Sequence, residues 1–367
     1  MINGKTIAVV IPAYNEEKQI SLVLESMPGF VDRMIVVNDN SKDDTLKIVK
    51  AAIDKDSGDY SNPAIGYRVI ERTLYNDAEF FLQEMEQKKR ALYTPSEIVN
   101  SDPGKSRIIL INHQKNNGVG AAIASGYRWC RDNNIDCTAV MAGDGQMDPS
   151  ELEGICRPVV EEGLDYVKGN RLIHRSARYV IPTKRYYGNS ILSILTKIAS
   201  GYWRVSDTQT GFTAISLNAL NKIEIEKIYQ KYGMPNDMLV KLNIARCTLK
   251  EVEIKPIYHI GERSKMKIGK VIPRISWILL KAFFKRIWTR YFLRDFHPLF
   301  LLYILAFVLF GASIPFLVKI LENFFVSGSR TPNSILMIYI FLTISALQSF
   351  LFAMWMDIQD NERLYKS

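Results

Sequence analysis

The sequence predicts an α/β domain with a Rossmann-like, mostly parallel sheet and flanking helices, followed by an amphipathic interfacial helix and two C-terminal transmembrane helices. Two observations support this fold class. Short β-branched runs alternate with helical patterns over the first 260 residues, as in βαβ units. Two stretches without a formal charge, residues 296–318 and 331–356, are 23 and 26 residues long. About 20 apolar residues are enough to cross a bilayer.

The alternating pattern gives the order of the elements. Four β-branched runs predict strands at Thr6–Ile11, Met34–Asn38, Ile108–Ile111 and Thr138–Met141. Apolar residues at helical spacing predict helices at Ile20–Met27, Thr45–Ile53 and Ala121–Cys130. Because strands and helices alternate, we expect a parallel sheet.

Residues 55–105 interrupt this alternation within a domain that we place at residues 1–262. Turn-rich ends flank a charged helix predicted near Ala78–Leu92. We interpret the segment as an insertion. A plain surface excursion is the preferred interpretation, and a cap over the cleft or a contact with a neighbouring subunit is the alternative.

The positive charge of the chain is concentrated in one segment. Against 38 acidic residues there are 47 basic ones, a net charge of +9. Ten Lys or Arg and no acidic residue lie between Arg263 and Arg294, so the other residues sum to about −1. This distribution argues against a general nucleic-acid binder, and we expect no nucleic acid partner. Four cysteines without Cys-x-x-Cys spacing favour a reducing compartment over a disulfide framework or structural zinc.

Residues 263–295 predict a basic amphipathic juxtamembrane segment. Between Val271 and Phe292, apolar residues recur at helical intervals. The cations interleaved with them are Lys281, Lys285, Arg286 and Arg290. We expect this helix to lie at the membrane surface, where each cation near an anionic leaflet contributes about 1 kcal/mol.

Residues 296–358 predict a transmembrane helical hairpin, and residues 359–367 predict a cytoplasmic tail. Ten cations precede the first span, whereas the turn between the spans carries Lys319 and Arg330. The positive-inside rule therefore places the N-terminal domain and both termini in the cytoplasm, at an inner or plasma membrane. A pair of buried core helices is the alternative, although core helices in soluble proteins usually have shorter apolar runs.

Polar residues follow each of the four predicted strands. In parallel sheets the ligand lies outside the carboxyl ends of the strands, so these residues predict one polar cleft. They are Pro12, Tyr14, Asn15 and Glu16; Asn38, Asp39 and Asn40; Asn116, Asn117 and Gly118; and Asp144, Gly145, Gln146 and Asp148. Carboxylates such as Glu16 and Asp39 suit ribose hydroxyls and a base N–H. A helix-capping or turn role is the alternative for Asp39.

Four motifs in this order and spacing resemble the family-two glycosyltransferases: IPAYNEE at 11–17, VNDNSKDDT at 37–45, NNGVGAA at 116–122 and AGDGQMDP at 142–149. The resemblance extends to GNR at 169–171, DTQTGF at 207–212, ND at 236–237 and ERSKMK at 262–267. With two C-terminal spans, the chain is most similar to the membrane-bound polyprenyl-phosphate (dolichyl-phosphate-type) sugar transferases. The resemblance implies a GT-A fold, an inverting mechanism, a nucleotide-sugar donor and Mg²⁺ or Mn²⁺.

For the donor, the predicted nucleotide-binding residues are Pro12, Tyr14, Glu16, Asp39, Asn116, Gly118 and Asp144. Asp144 and Gln146 are the predicted metal ligands, since a hard cation held by carboxylate oxygen can neutralise a diphosphate leaving group. The family often has Asp-x-Asp, and its first Asp falls on Ala142 here, so weak metal affinity is an open alternative. Asp148, which precedes Pro149, is interpreted as a helix start.

For the acceptor and its phosphate, the predicted residues are Arg171, Asp207, Gln209, Thr210, Arg263 and Lys265. Arg263 and Lys265 are also predicted to be catalytic, together with Asp144 and Asp237. The two cations suit a donor diphosphate or a lipid phosphate, with general attraction to headgroups as the alternative. Asp237 would be a general base if the acceptor is a hydroxyl group, whereas a lipid phosphate needs no base. The alternative for Asp237 is a structural role in the first turn of a helix. We assign no catalysis to the four isolated histidines.

The resulting functional hypothesis is transfer of a sugar from a nucleotide diphosphate, with uridine as the favoured base, to a polyprenyl phosphate at the cytoplasmic membrane face. One alternative is a glycosyltransferase that acts on a lipid-linked saccharide or another membrane glycolipid. A non-catalytic nucleotide-sugar sensor or scaffold is the other. The expected partners are the donor, the lipid acceptor and the membrane, and a homo-oligomer is left open.

Overall fold

A computed structural model describes residues 1–56, 72, 73, 75–257, 268–327 and 330–366. Its strands are β1 (Ile7–Ala13), β2 (Arg33–Asn38), β3 (Ser96–Ile98), β4 (Ile108–His113), β5 (Cys137–Val140), β6 (Tyr166–Asn170), β7 (Thr213–Ser216), β8 (Leu249–Glu253) and β9 (Tyr365–Lys366). The four strands predicted from sequence are β1, β2, β4 and β5, each within two residues of its expected bounds.

The helices alternate with these strands and then form the C-terminal part of the chain. They are α1 (Ile20–Glu25), α2 (Thr45–Lys55), α3 (Asp77–Arg90), α4 (Val119–Asp132), α5 (Leu152–Glu161), α6 (Ala177–Val180), α7 (Thr183–Ser200), α8 (Leu217–Lys222), α9 (Met234–Ile244), α10 (Ile268–Arg286), α11 (Pro298–Glu322) and α12 (Asn333–Glu362). Short 3₁₀ turns occupy Pro149–Glu151 and Ile225–Lys227, and π-helical turns occupy Ile287–Arg294 and Asn323–Ser327.

Across the described residues, the nine strands form one mixed sheet in the order β3-β4-β2-β1-β5-β7-β6-β8-β9. The central strands β4, β2, β1 and β5 are parallel, with Val10 opposite Ile35 on one side and Val140 on the other. Strand β7 is antiparallel to both β5 and β6. Helices cover both faces of the central strands, which explains why these strands are continuous apolar runs without alternation.

Two hydrophobic cores lie on opposite faces of the sheet. Ala8 and Val10 face the core that contains α4, α8 and α9. Ile7, Val9 and Ile11 face the other core, with α1, α2 and α5. This two-residue alternation along β1 follows from the pleat of a strand.

The predicted insertion is partly integrated into the sheet. Helix α3 has no buried residue, in agreement with a surface excursion. Residues 96–98 form β3 and pair antiparallel with β4 at the sheet edge, where all three remain exposed. A three-residue edge strand leaves too short a pattern to detect in sequence. Residues 57–71 of this segment lie outside the described residues.

Helices α11 and α12 pack against each other and are long and apolar enough to cross a membrane. The candidate spans are Pro298–Phe325 and Asn333–Glu362, which are 28 and 30 residues long. Both extend beyond the uncharged stretches identified in sequence. Three polar residues in the last two turns of α12 are buried: Asp357, Asp360 in part, and Asn361.

The C-terminus corrects two expectations from sequence. Residues 359–367 are not a separate tail, because α12 continues to Glu362 and β9 pairs in parallel with β8. Arg286 and Arg290, expected at the membrane surface, are fully buried against the end of α12, while Lys281 and Lys285 are exposed. Periodicity identifies a polar helix face, but it does not distinguish a face toward headgroups from one paired with buried acids.

Candidate active site

The loops after the four central strands meet at one edge of the sheet. Because β1, β2, β4 and β5 are parallel, their carboxyl ends share this edge. Backbone hydrogen bonds tie the loops together: Asp39 N–H donates to Ala13 O at 2.9 Å, and Gly143 N–H donates to Pro12 O at 3.3 Å. The structure therefore brings the predicted polar residues of these loops together.

The loop after β1 is fixed against the start of α2. Asn15, in the left-handed region with φ of 58°, accepts from Lys42 N–H at 2.8 Å through Oδ1. Glu16 N–H donates to Thr45 Oγ1 at 2.9 Å. Pro12 at the end of β1 and Tyr14 and Glu16 on the loop are half-buried, and their contact with a nucleotide stays a prediction.

Asp39 has structural partners that the sequence did not indicate. Its carboxylate is 3% exposed and accepts from the backbone N–H groups of Asn117 at 3.1 Å and Gly118 at 2.7 Å. Buried His113 is hydrogen-bonded to Asp39 Oδ1 through Nδ1 at 2.8 Å and to Ser125 Oγ through Nε2 at 2.9 Å. Asp39 thus shapes the loop at residues 116–118, and its direct contact with a nucleotide stays a prediction.

Gly118 is the residue before α4 and has a backbone that requires glycine. Its φ is +99°, and a Cβ there would lie 2.7 Å from the carbonyl oxygen of Gln230. The N-terminus of the 14-residue helix α4 therefore opens at the carboxyl edge of the sheet. At this end the Gly118 N–H donates to Asp39 and the Gly120 N–H donates to Gln230 O at 2.8 Å, so both groups are paired within the protein.

Asp144 lies in a tight turn after β5. Its Oδ1 accepts from Gln146 N–H at 3.1 Å, and Gly145 has a φ of +75°. Asp148 accepts from Ser150 N–H at 2.9 Å and caps the 3₁₀ turn that begins at Pro149, which confirms its interpretation as a helix start. The hydrogen bond with Ser150 lowers the pKa of Asp148 below its usual value.

The oxygen ligands available in the turn at Asp144 fit a metal cation that binds together with the substrate. Among the described residues, no group of three or more His, Cys, Asp or Glu side chains could hold a metal ion. Mg²⁺ commonly takes one or two carboxylates and completes its shell with water and substrate phosphates. Asp144, with Gln146 beside it and Ala142 in place of a second acid, offers such a partial set.

Arg171 and Asp207, predicted as separate ligands of the acceptor side, are paired with each other. Arg171 Nε donates to Asp207 Oδ2 at 2.8 Å, and Nη2 donates to Oδ1 at 3.1 Å. Asp207 Oδ1 also accepts from the N–H groups of Gln209 and Thr210, both at 3.2 Å. Burial alone would raise the pKa of Asp207, but Arg171 and Lys168 outweigh it, so this pKa lies below its usual value. Asp207 therefore organises the loop at residues 207–210, which we call the acceptor loop.

Lys168 is a residue of this site that sequence reasoning missed. It is fully buried in β6 and donates through Nζ to Thr210 O. Burial lowers its pKa to about 8. A lysine inside an otherwise uncharged strand, YVKGN, is the signal that could have identified it.

Asn236 and Asp237 are adjacent in the sequence but make hydrogen bonds to different parts of the structure. Gln209 Nε2 donates to Asn236 Oδ1 at 2.9 Å, which links α9 to the acceptor loop. Asp237 instead accepts from Tyr229 N–H at 2.9 Å and from Lys241 Nζ at 2.5 Å. It lies in the first turn of α9, as its structural alternative predicted. The sequence had emphasised Asp237, but Asn236 is the one that contacts the acceptor loop.

Arg263 and Lys265 lie outside the described residues, so their predicted phosphate contacts stay predictions. The segment that carries them joins β8 to α10. It therefore connects the sheet to the helices that pack beside α7 and α9.

The fold and the site define a glycosyltransferase with a GT-A fold. The family model for glycosyl transferase family 2 matches residues 8–68 and 94–224, just over half of the chain. The chain therefore belongs to glycosyl transferase family 2. The unmatched residues 69–93 fall within the predicted insertion and include α3.

Curated relatives agree with this membership. A UDP-N-acetylglucosamine–dolichyl-phosphate N-acetylglucosaminyltransferase of Methanococcus voltae is 27% identical over 255 residues, 69% of this chain and 86% of the relative. A dolichyl-phosphate beta-glucosyltransferase of Trichomonas vaginalis is 23% identical and covers 77% of this chain and 75% of its own. An undecaprenyl-phosphate mannosyltransferase of Micrococcus luteus is 27% identical over 44% of this chain and 66% of its own. The resemblance to polyprenyl-phosphate glycosyltransferases is confirmed.

Among solved structures, glucosyl-3-phosphoglycerate synthase from Mycobacterium tuberculosis aligns with a TM-score of 0.46 and 19% identity. The alignment covers 77% of this chain and 80% of that one.

Proposed function

We propose that this enzyme transfers a sugar from a nucleoside diphosphate, with UDP favoured, to a polyprenyl phosphate at the cytoplasmic face of a membrane, with inversion at the anomeric carbon. One observation carries the proposal: the acceptor loop is bonded to α7 and α9, and these helices share a core with α10, α11 and α12. A headgroup held beside α11 and α12 would therefore approach the cleft from the acceptor side. The curated relatives, named for dolichyl and undecaprenyl phosphates, support the same acceptor class.

The donor would bind at the carboxyl edge of the central strands. Tyr14, Glu16 and Asn116 lie on the loops at this edge and are our candidates for contacts with the nucleotide. Asp144 and Gln146 would hold Mg²⁺ or Mn²⁺ through oxygen ligands. A bound cation of this kind supplies charge neutralisation for the diphosphate as it leaves.

The proposed reaction needs no proton removal from the acceptor. An anionic phosphate oxygen of the lipid attacks the anomeric carbon from the face opposite the diphosphate. A new C–O–P linkage forms, and the bond to the diphosphate breaks with its electron pair on the departing oxygen. The ion pair of Asp237 with Lys241 agrees with this chemistry, because it directs that carboxylate away from the role of a base. Arg263 and Lys265 remain our candidates for the acceptor phosphate.

The test is a transfer assay with detergent-purified enzyme, undecaprenyl phosphate, Mg²⁺ or Mn²⁺ and a panel of nucleotide sugars. We expect mass spectrometry to detect a lipid whose mass increases by one sugar. Asp144→Asn should abolish this product. Asp148→Asn is the matched control: it removes one negative charge from the same loop, and asparagine still caps a helix. Its product should persist.

Two other results would redirect the proposal. Donor binding with no lipid product under any acceptor tried would support a nucleotide-sugar sensor. A product on a glycolipid acceptor that disappears in Asp237→Asn would support the alternative transferase. For the proposed reaction, Asp237→Asn should retain most of its activity, provided that its thermal unfolding is unchanged.

A further inference from the structure

Three arginines at four-residue spacing bridge the C-terminal ends of two helices. They are Arg286, Arg290 and Arg294, at the end of α10 and in the π-helical turn that follows it. Arg286 donates through Nε to Ala199 O at 2.9 Å and through Nη2 to Ile198 O at 3.1 Å, in the last turn of α7. The last four carbonyls of a helix lack partners within the helix, and here a guanidinium satisfies two of them.

The other two arginines do the same for α9. Arg290 Nη1 donates to Asn243 O at 3.2 Å, and Arg294 Nη1 donates to Ile244 O at 2.9 Å. One continuous helical segment therefore fixes the C-terminal ends of both α7 and α9.

Arg286 and Arg290 also hold the end of α12. Arg286 donates to both carboxylate oxygens of Asp357 at 2.8 Å, and both side chains are fully buried. Arg290 Nη2 donates to Asp360 Oδ2 at 2.5 Å, and Tyr291 Oη donates to Asp357 Oδ1 at 3.0 Å. Asn361, also buried, donates through Nδ2 to Asp357 Oδ1 at 2.8 Å. The polar end of the apolar helix is thus built into the glycosyltransferase domain.

Gly201 shows how closely this network packs against α7. It follows α7 with a φ of +79°, and a Cβ there would lie 2.5 Å from Arg286 Nη1. The guanidinium thus occupies the space that any other side chain would need.

The same two helices also bond to the acceptor loop, through residues that precede these terminal carbonyls in each helix. Ser193 Oγ of α7 lies 3.1 Å from Thr208 Oγ1 in a hydrogen bond. Thr196 Oγ1 of α7 donates to Asn236 Oδ1 at 2.9 Å, and this oxygen also accepts from Gln209. One hydrogen-bonded route therefore runs from the acceptor loop through α7 and Arg286 to Asp357. A second route runs through α9, where Asn243 donates to Asn361 and Asn361 donates to Asp357.

We propose that the Arg286–Asp357 pair is a positioning element that sets the acceptor loop relative to the apolar hairpin of α11 and α12. The proposal rests on the proposed function for the identity of the acceptor. A fully buried ion pair is poorly suited to a purely stabilising role, since well-packed apolar residues often stabilise a fold as well or better. A bidentate pair does fix the relative orientation of the two helices that carry it, because the planar guanidinium donates to both carboxylate oxygens only in a narrow range of orientations.

The decisive variant replaces the pair by apolar residues of similar size, Arg286→Met with Asp357→Leu. The matched control is Glu362→Gln, which removes the exposed ion pair of α12 with Arg204. For the double variant we expect lower kcat/KM for the lipid acceptor, by roughly tenfold or more, as small misplacements in an active site can produce. UDP affinity should stay within about twofold, because the residues assigned to the nucleotide lie at the ends of β1, β2, β4 and β5 and not on α7, α9 or α12. Hydrogen exchange in residues 193–210 should accelerate in the double variant and not in the control.

Each outcome decides a separate point. A folded double variant with wild-type transfer and wild-type exchange would overturn the positioning role. Parallel losses of thermal stability, UDP binding and transfer would show a general structural role and overturn it as well. If the double variant does not fold, Asp357→Asn, which keeps the side-chain shape, is subjected to the same three measurements and the same criteria. If the wild-type enzyme transfers no sugar to a lipid phosphate, the proposed function fails, while hydrogen exchange still tests the coupling.

Discussion

Removing the charge of Asp207 should destabilise the enzyme strongly. Asp207 is 1% exposed and accepts from Arg171 and from two backbone N–H groups of the acceptor loop. In Asp207→Asn, the amide group would place a donor against Arg171, and Lys168 would lose a nearby negative charge. Breaking a buried ion pair costs about 3–5 kcal/mol. Arg171 is 22% exposed and can be partly rehydrated, so we expect about 2–3 kcal/mol here.

The effect should depend on pH in a defined direction. The pKa of Asp207 in the fold lies below its ordinary value of 3.8. Its stabilising contribution is therefore fully present above that ordinary value and is lost as the pH falls through the lower, folded-state pKa. The difference between wild type and Asp207→Asn should thus be constant near neutral pH and should shrink below about pH 4.

Thermal unfolding in detergent, followed between pH 3.5 and 7.5, is the assay. At neutral pH the variant should melt about 4–12 °C below the wild type, using about 2–4 °C per kcal/mol. Glu153→Gln is the control, because it breaks an exposed pair with Arg157 that solvent screens, and its melting temperature should stay close to that of the wild type. A melting temperature for Asp207→Asn that matches the Glu153→Gln control would refute the reasoning.

Three further substitutions test other parts of the fold. Burial lowers the pKa of Lys168 to about 8, so between pH 8 and 10.5 the unfolded state binds more protons at this residue than the folded state does. The stability of the wild type should therefore increase with pH across that window. Lys168→Met should lack this increase when unfolding is measured as a function of pH. Gly118→Ala should cost about 1–3 kcal/mol and weaken UDP binding in calorimetry, whereas Gly154→Ala, in open space on α5, should stabilise by about 0.4–1 kcal/mol. Leu364→Ala should cost about 2–3 kcal/mol in thermal unfolding, since Leu364 is 6% exposed beside β9. Its control is Leu22→Ala: Leu22 is 62% exposed, so this variant should change stability by less than about 0.5 kcal/mol.

The sequence by itself determined the parts of this protein whose signals are local. Apolar runs at the period of strands and helices located β1, β2, β4 and β5 and the helices between them. The same kind of signal identified the two long apolar helices. Parallel order then placed the polar loops at one edge, because strands that alternate with helices share the direction of their carboxyl ends. The Asp148–Pro149 helix start was likewise readable, since capping involves neighbouring residues.

Tertiary structure alone decided which charged groups pair when they lie far apart in the sequence. Asp39 meets His113 across 74 residues, Arg171 meets Asp207 across 36, and Arg286 meets Asp357 across 71. No periodicity or spacing rule connects such partners. Residues predicted separately as ligands, or as membrane-facing cations, therefore proved to be partners within the fold. Burying a charge is costly unless an opposite charge and hydrogen bonds accompany it, and only the packed chain determines which distant side chain supplies them.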